Sequence, residues 1–121
     1  MSIRIEDAIG IHSRALDLRV QRSEILAANL ANEDTPGFQA RDFDFSSEMQ
    51  RLDSAISGGA FGASNSPELQ YRIPTQASLD GNTVELSMEQ AEFSKNSMDF
   101  QTSLTFLNSK FRGLKQAIEG R

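Results

Sequence analysis

Between residues 85 and 119 the chain sets down Leu86, Gln90, Phe93, Ser97, Phe100, Leu104, Leu107, Phe111, Leu114 and Ile118 in alternating steps of four and three. A 3.5-residue period sustained over several heptads marks a helix that packs along another helix. Gln90 and Ser97 are polar, so the N-terminal half of this seam should pack more weakly than the half from Leu104 to Ile118. Gly120 offers a helix stop, and Lys110, Arg112 and Lys115 suit the negative end of the helix dipole. Met88, Ala91, Met98, Phe106 and Ala117 lie off the seam. Phe106 is an apolar side chain that a two-helix hairpin leaves exposed. It reads either as a scattered surface residue or as a second packing face.

The N-terminus supplies a partner for that seam. Residues 4–32 read as one helix, with Ile5, Ala8, Ile9, Ile11, Ala15, Leu16, Leu18, Val20, Leu26, Ala27 and Leu30 on one broad arc. Glu6, Asp7, Arg14, Asp17, Gln21 and Glu24 lie opposite. Such a helix is roughly 40 Å long at ~1.5 Å per residue. Gly10 weakens it by up to ~1 kcal/mol relative to alanine. His12 reads as a packing residue, since no second histidine and no cysteine exists to complete a metal site. Arg19 and Arg22 intrude on the apolar arc. Either their stems pack with their heads in water, or they make charge contacts to a neighbouring chain.

The helix loses its grip at Asn32-Glu33-Asp34 and is stopped by Thr35-Pro36-Gly37. Proline has no amide hydrogen and disfavours the helical region for the residue before it, and glycine accepts positive φ. Alternation then follows at Phe38, Ala40, Phe43 and Phe45, as in an extended arm. Ser46 or Ser47 is placed to cap a short helix through about Ile56, with Met49, Leu52 and Ile56 on one side. Residues 57–67, SGGAFGASNSP, have linker composition and lack the GK[ST] of a phosphate loop. Leu69, Tyr71 and Ile73 alternate as a short strand limited by Pro74, and Asp80-Gly81-Asn82 is a turn.

The expected fold is therefore mainly α: long N- and C-terminal helices paired as an antiparallel coiled-coil hairpin, with an irregular, partly extended and flexible middle. The boundaries are 1–36 for the first helix, 37–82 for the variable middle with its arm, and 83–121 for the second helix. With 38% hydrophobic residues and no tryptophan, one helix pair offers little interior, so other chains should complete it. A net charge of -5 argues against nucleic-acid binding, and the absence of cysteine excludes disulfides and thiolate metal sites. No apolar run is long enough to span a membrane, and the first residues do not read as a cleaved signal peptide. The acidic residues Glu6, Asp7, Asp17 and Glu24 sit on a solvent-facing arc with no cleft around them, so no catalytic residue and no cofactor is expected.

Residues 26–38, LAANLANEDTPGF, resemble the L-A-x-N-[LI]-A-N-x-x-T-x-G-[FY] signature of the flagellar basal-body rod proteins at every defined position: Leu26, Ala27, Asn29, Leu30, Ala31, Asn32, Thr35, Gly37 and Phe38, with Pro36 between them. The ARDFDF that follows and the closing KFRGLKQAI are also similar to that family, and the resemblance covers roughly residues 5–45 and 80–121. The short length matches too, since longer members carry extra domains between the two helices. The run NSMDF at 96–100 departs from the more basic, tyrosine-containing run of relatives.

The resemblance implies a structural subunit that leaves the cytoplasm unprocessed through the flagellar type III export apparatus and assembles in the rod, within the periplasmic space. Its implied partners are itself, other rod subunits, and the membrane ring with its export-gate adaptor at the rod base. Ile11, Leu16, Leu18 and Ile25 are then expected to pair with Phe93, Phe100, Leu104, Leu107, Phe111, Leu114 and Ile118. Arg19, Arg22, Phe43, Phe45 and Phe106 are the candidate contacts to neighbouring subunits, with residues 33–45 as a bridging arm. The alternative is a cytoplasmic coiled-coil adaptor or export chaperone.

Overall fold

Two long helices carry the architecture. In the computed structural model, which describes residues 5–58 and 66–120, the order is α1 (Ile5–Ala31), β1 (Arg41–Asp42), α2 (Phe45–Ser57), β2 (Gln70–Tyr71) and α3 (Leu86–Glu119). The fold is mainly α, as expected. α1 and α3 pack against each other along much of their length. They run antiparallel, because Asn29 meets Glu89 near one end and His12 meets Phe106 near the other. In this register Ile5 falls opposite about Gly113, so the last turns of α3 run past the described start of α1. α3 ends where Gly120 adopts φ 71° and returns its N–H to the Gln116 carbonyl.

The face that α3 turns toward α1 differs from the expected seam. Glu89, Asn96 and Leu107 are buried, and Phe93, Phe100, Ser103 and Leu114 are half-buried. Phe93, Phe100, Leu107 and Leu114 therefore lie on the inner face. Leu104, Phe111 and Ile118, expected to pair with α1, are instead 40%, 47% and 78% exposed. The reason is rotational. The inner row runs through positions 89, 96 and 103, one residue before the expected 90, 97 and 104. For Ile118, the described part of α1 has also run out.

The largest apolar cluster is not between the long helices. It joins Leu18 to Phe43 and Leu52, with Ile25, Phe45 and Met49 packed around it. Leu18 and Ile25, expected to face α3, thus pack on the middle of the chain. Burying a side chain such as Phe43 stabilises by ~1.5–3 kcal/mol. That is what draws residues 38–57 back onto α1 in place of a projecting arm. The α2 cap is Asp44 rather than Ser46 or Ser47. Its carboxylate accepts from Ser46 N–H at 3.1 Å and from Ser47 Oγ at 2.8 Å.

β1 and β2 form a two-residue antiparallel ribbon, with Arg41 opposite Tyr71 and Asp42 opposite Gln70. Leu69, Tyr71 and Ile73 stay exposed along it. Residues 59–65, most of the linker, lie outside the described residues. The segment after Pro36 is bonded on its other side to residues 80–83. Gly37 N–H donates to Asp80 O and Thr83 N–H to Phe38 O, both at 2.9 Å. Gly37 and Gly81 both hold positive φ, 73° and 77°. They back onto each other so closely that a Cβ on Gly81 meets Gly37 Cα at 3.7 Å.

Candidate functional site

The signature residues divide between two tasks. Leu26 and Asn29 are 0% and 1% exposed. Their spacing of three puts them on one helix face. Asn29 treats β1 as a strand would: Nδ2 donates to Arg41 O at 2.7 Å, and Oδ1 accepts Arg41 N–H at 3.1 Å. The second Nδ2 hydrogen reaches Glu89 Oε2 at 3.1 Å, so one amide ties α1, the arm and α3. A helix residue that satisfies an edge backbone from the side needs an amide, which carries both donor and acceptor.

Asn32, Thr35 and Gly37 build the helix stop. Asn32 Nδ2 donates to Ala28 O at 2.7 Å, and Thr35 Oγ1 donates to Asn32 Oδ1 at 3.1 Å. The freed carbonyls at the end of a helix need donors. Those of Ala28, Asn29 and Leu30 take the Asn32 and Glu33 N–H groups, and the turn beyond them meets Asn82, whose Nδ2 lies 2.9 Å from Asn32 O, 2.7 Å from Glu33 O and 2.8 Å from Thr35 O. Asn82 Oδ1 accepts Val84 N–H at 2.7 Å and fixes the approach to α3. Ala27 and Ala31 are exposed, Leu30 and Phe38 are half-buried, and Pro36 lies on the surface.

A polar girdle surrounds Asn29. Arg22 grips Asp42 with two bonds, Nε to Oδ1 at 3.1 Å and Nη2 to Oδ2 at 3.0 Å, and also reaches Glu92 Oε2 at 2.8 Å. Arg72 donates to Asp42 Oδ2 at 2.8 Å. Its Nε sits 2.8 Å from Glu89 Oε1 as an ion pair whose N–H is not aligned on the oxygen. Burial would raise the Asp42 carboxyl. The hydrogen bonds and charge of Arg22, with help from Phe43 N–H and Arg72, outweigh it and hold Asp42 below the usual range. The Asp42 bond raises Arg22 in turn. Arg19 lies 3.5 Å over the Phe45 ring, pairs with Asp99 at 3.4 Å, and is lowered chiefly by burial.

Arg19, Arg22 and Phe43 are therefore committed inside the chain, which corrects their assignment as outward contacts. Asp42 on β1 and Glu92 on α3 hold Arg22, Asp99 on α3 holds Arg19, and Phe43, 4% exposed, is core. Phe45 is half-buried beneath Arg19. Phe106 remains 49% exposed, packed on one side by His12 with ring centroids 5.0 Å apart. Sequence reasoning passed over Asn82, Asp42, Arg72, Glu89 and Asn96. The available signal was the seven-residue step from Glu89 to Asn96, a polar row parallel to the apolar one.

The remaining concavities are shallow. An open groove of about 550 Å³ lies between α1 and the ribbon, lined by Ile25, Ala28, Phe38, Leu69 and Tyr71 among others. Among the described residues no group of three or more His, Asp or Glu is placed to hold a metal ion. No described helix is long and apolar enough to cross a membrane.

A site made of helix stops, backbone clasps and internal ion pairs defines a building block whose signature stretch does structural work. Comparison with known proteins agrees. Residues 9–39 match the family model described as Flagella basal body rod protein. The chain is 44% identical to the flagellar basal body rod protein FlgB of Aeromonas hydrophila, over 99% of this chain and 98% of that protein. It is 42% identical to FlgB of Salmonella typhimurium, over 97% and 96%, and 43% identical to FlgB of Cereibacter sphaeroides, over 94% and 95%. The chain belongs to the flagellar basal body rod protein family, and its full-length likeness within that family is to FlgB. Membership makes it a structural component of the flagellar basal body rod and not an enzyme.

Proposed function

We propose that this chain is an axial subunit of the proximal rod, packed by its helix pair against other copies and other rod subunits in the shaft that carries torque. The observation that carries the reading is the apolar row Leu104, Phe111 and Ile118, which the chain's own α1 leaves 40%, 47% and 78% exposed, with Met98 and Phe106 exposed at 68% and 49% on another side of α3. Apolar side chains in such a row are an assembly surface waiting for neighbours. In this reading Phe45 and Phe106 offer a second contact on another side of the helix pair. The membrane ring and its export-gate adaptor lie at the rod base, and the type III export apparatus delivers the chain to the periplasmic space. Binding of nucleic acid and insertion into the membrane form no part of the role.

The test uses surface charge. Phe111→Asp and Ile118→Asp should leave the circular dichroism melt of the purified chain unchanged and abolish swimming. Basal bodies from a strain lacking the chain should then show rings without rods. Intact rods in that strain, or full motility of both variants, would sink the reading.

A further inference from the structure

α3 carries two rows that compete for α1. Both share Phe93, Phe100, Leu107 and Leu114. One adds Glu89, Asn96 and Ser103; the other adds Gln90, Ser97, Leu104 and Phe111. They differ by a turn of roughly 50° about the helix axis, as follows from ~100° per residue. Hydrophobic burial alone favours the second row, which holds leucine and phenylalanine where the first holds serine and Lys110. The structure nevertheless uses the first.

What opposes the apolar choice is visible at two buried positions. Asn96 is 0% exposed. Its Nδ2 donates to Arg19 O at 2.8 Å and to Ser23 Oγ at 2.7 Å, while Oδ1 accepts from Arg19 Nη1 at 3.4 Å. Glu89, also 0% exposed, meets Asn29 and Arg72. Turning α3 to the apolar row would break these bonds and take Glu89 from Asn29 and Arg72, and buried polar groups that lose a partner are costly. A single buried polar residue in a coiled-coil seam is known to select one arrangement at some expense in stability.

We propose that Asn96 and Glu89 are specificity-determining residues that set the rotation of α3 and keep Leu104 and Phe111 turned outward. The chain contains no cysteine, so single reporters are clean. Ser103→Cys and Leu104→Cys are each placed in the parent and in an Asn96→Ala/Glu89→Ala background, and maleimide labelling rates are compared on the purified full chain. In the parent, the Leu104→Cys thiol should label several-fold faster than the Ser103→Cys thiol. In the alanine background the order should invert, with the thiol of Leu104→Cys becoming protected while helical circular dichroism persists. An unchanged order, or faster labelling at both positions, overturns the proposal by showing that the pair contributes stability without orientation. Loss of the helical signal overturns it too, because the apolar row would then be unable to hold the helices.

Discussion

Asn29 Nδ2 and Glu89 Oε2 lie 3.1 Å apart, both residues almost wholly shut off from solvent, at the crossing of α1 with α3. The same Asn29 amide group holds both backbone atoms of Arg41. Replacing it by aspartate removes the donor and sets a second carboxylate against Glu89. Asn29→Asp should lower stability by ~2–5 kcal/mol, read as a fall in the urea midpoint of the full chain, and should abolish swimming.

Arg72 is the cation nearest the buried Glu89, at 2.8 Å. Arg72→Met leaves that carboxylate without charge compensation and should cost ~3–5 kcal/mol. The double change Arg72→Met/Glu89→Gln should recover much of the loss, because no buried charge then remains unpaired. A double-mutant cycle in urea measures the coupling.

Asn82 closes the end of α1 from fifty residues away in sequence, within hydrogen-bond distance of three carbonyls. Truncation in Asn82→Ala should cost ~0.5–1.5 kcal/mol, the net worth of an ordinary hydrogen bond, because Glu33 and Thr35 stand at the surface where water replaces the lost donor. Amide exchange should quicken first at the last turn of α1 and at Val84, and hydrogen exchange with mass spectrometry reads both.

Acid should loosen the middle before the helices. Asp42 is held below its ordinary 3.8 by Arg22 and Arg72. A depressed carboxylate adds stability that is complete above the unfolded value and drains away as pH falls through the folded one. The Asp42 contribution is thus present at neutral pH and lost progressively below 3.8. Thermal melts at stepped pH should fall more steeply for the parent than for Asp42→Asn in that window.

The arm should be ordered within the chain. The Gly37, Ala40, Arg41, Arg72 and Thr83 N–H groups all have partners, Arg41 on α1 and the other four within the middle. They should exchange more slowly than those of Gln76 and Ala77, which stand exposed on the loop before the turn at Gly81. Equal, fast exchange at all of them would show that the arm orders only on assembly.

The long helices were legible because period and breakers are local properties: Pro36-Gly37 and Gly120 mark stops, and α1 and α3 fall close to the expected bounds. Rotation about a helix axis is not local. It is decided by hydrogen bonds such as Asn96 to Arg19 O, which no count of apolar residues registers. The arm misled for a related reason. Phe43 and Phe45 read as outward aromatics of an arm, and only the folding back of α2, with Leu52 and Met49, encloses them. Arg22 had two readings, head in water or charge contact to a neighbouring chain, and the placing of Asp42 and Glu92 supplies a third, an ion pair within the chain.

Gly37 and Gly81 touch back to back, and the Gly37–Asp80 and Phe38–Thr83 bonds close the gap beside them. The chain therefore leaves the helix pair and rejoins it at a single doorway. What lies between the two glycines is also pinned to the pair from the side, since Phe43 and Leu52 pack on Leu18 and Asp42 and Arg72 pair with Arg22 and Glu89. A doorway of this kind admits insertion: a module whose own termini are adjacent fits at the exposed turn before Gly81 while residues 38–57 keep their packing on α1. Grafting a small domain with neighbouring ends at that turn, with Phe43, Leu52 and Arg72 kept in place, is the engineering counterpart.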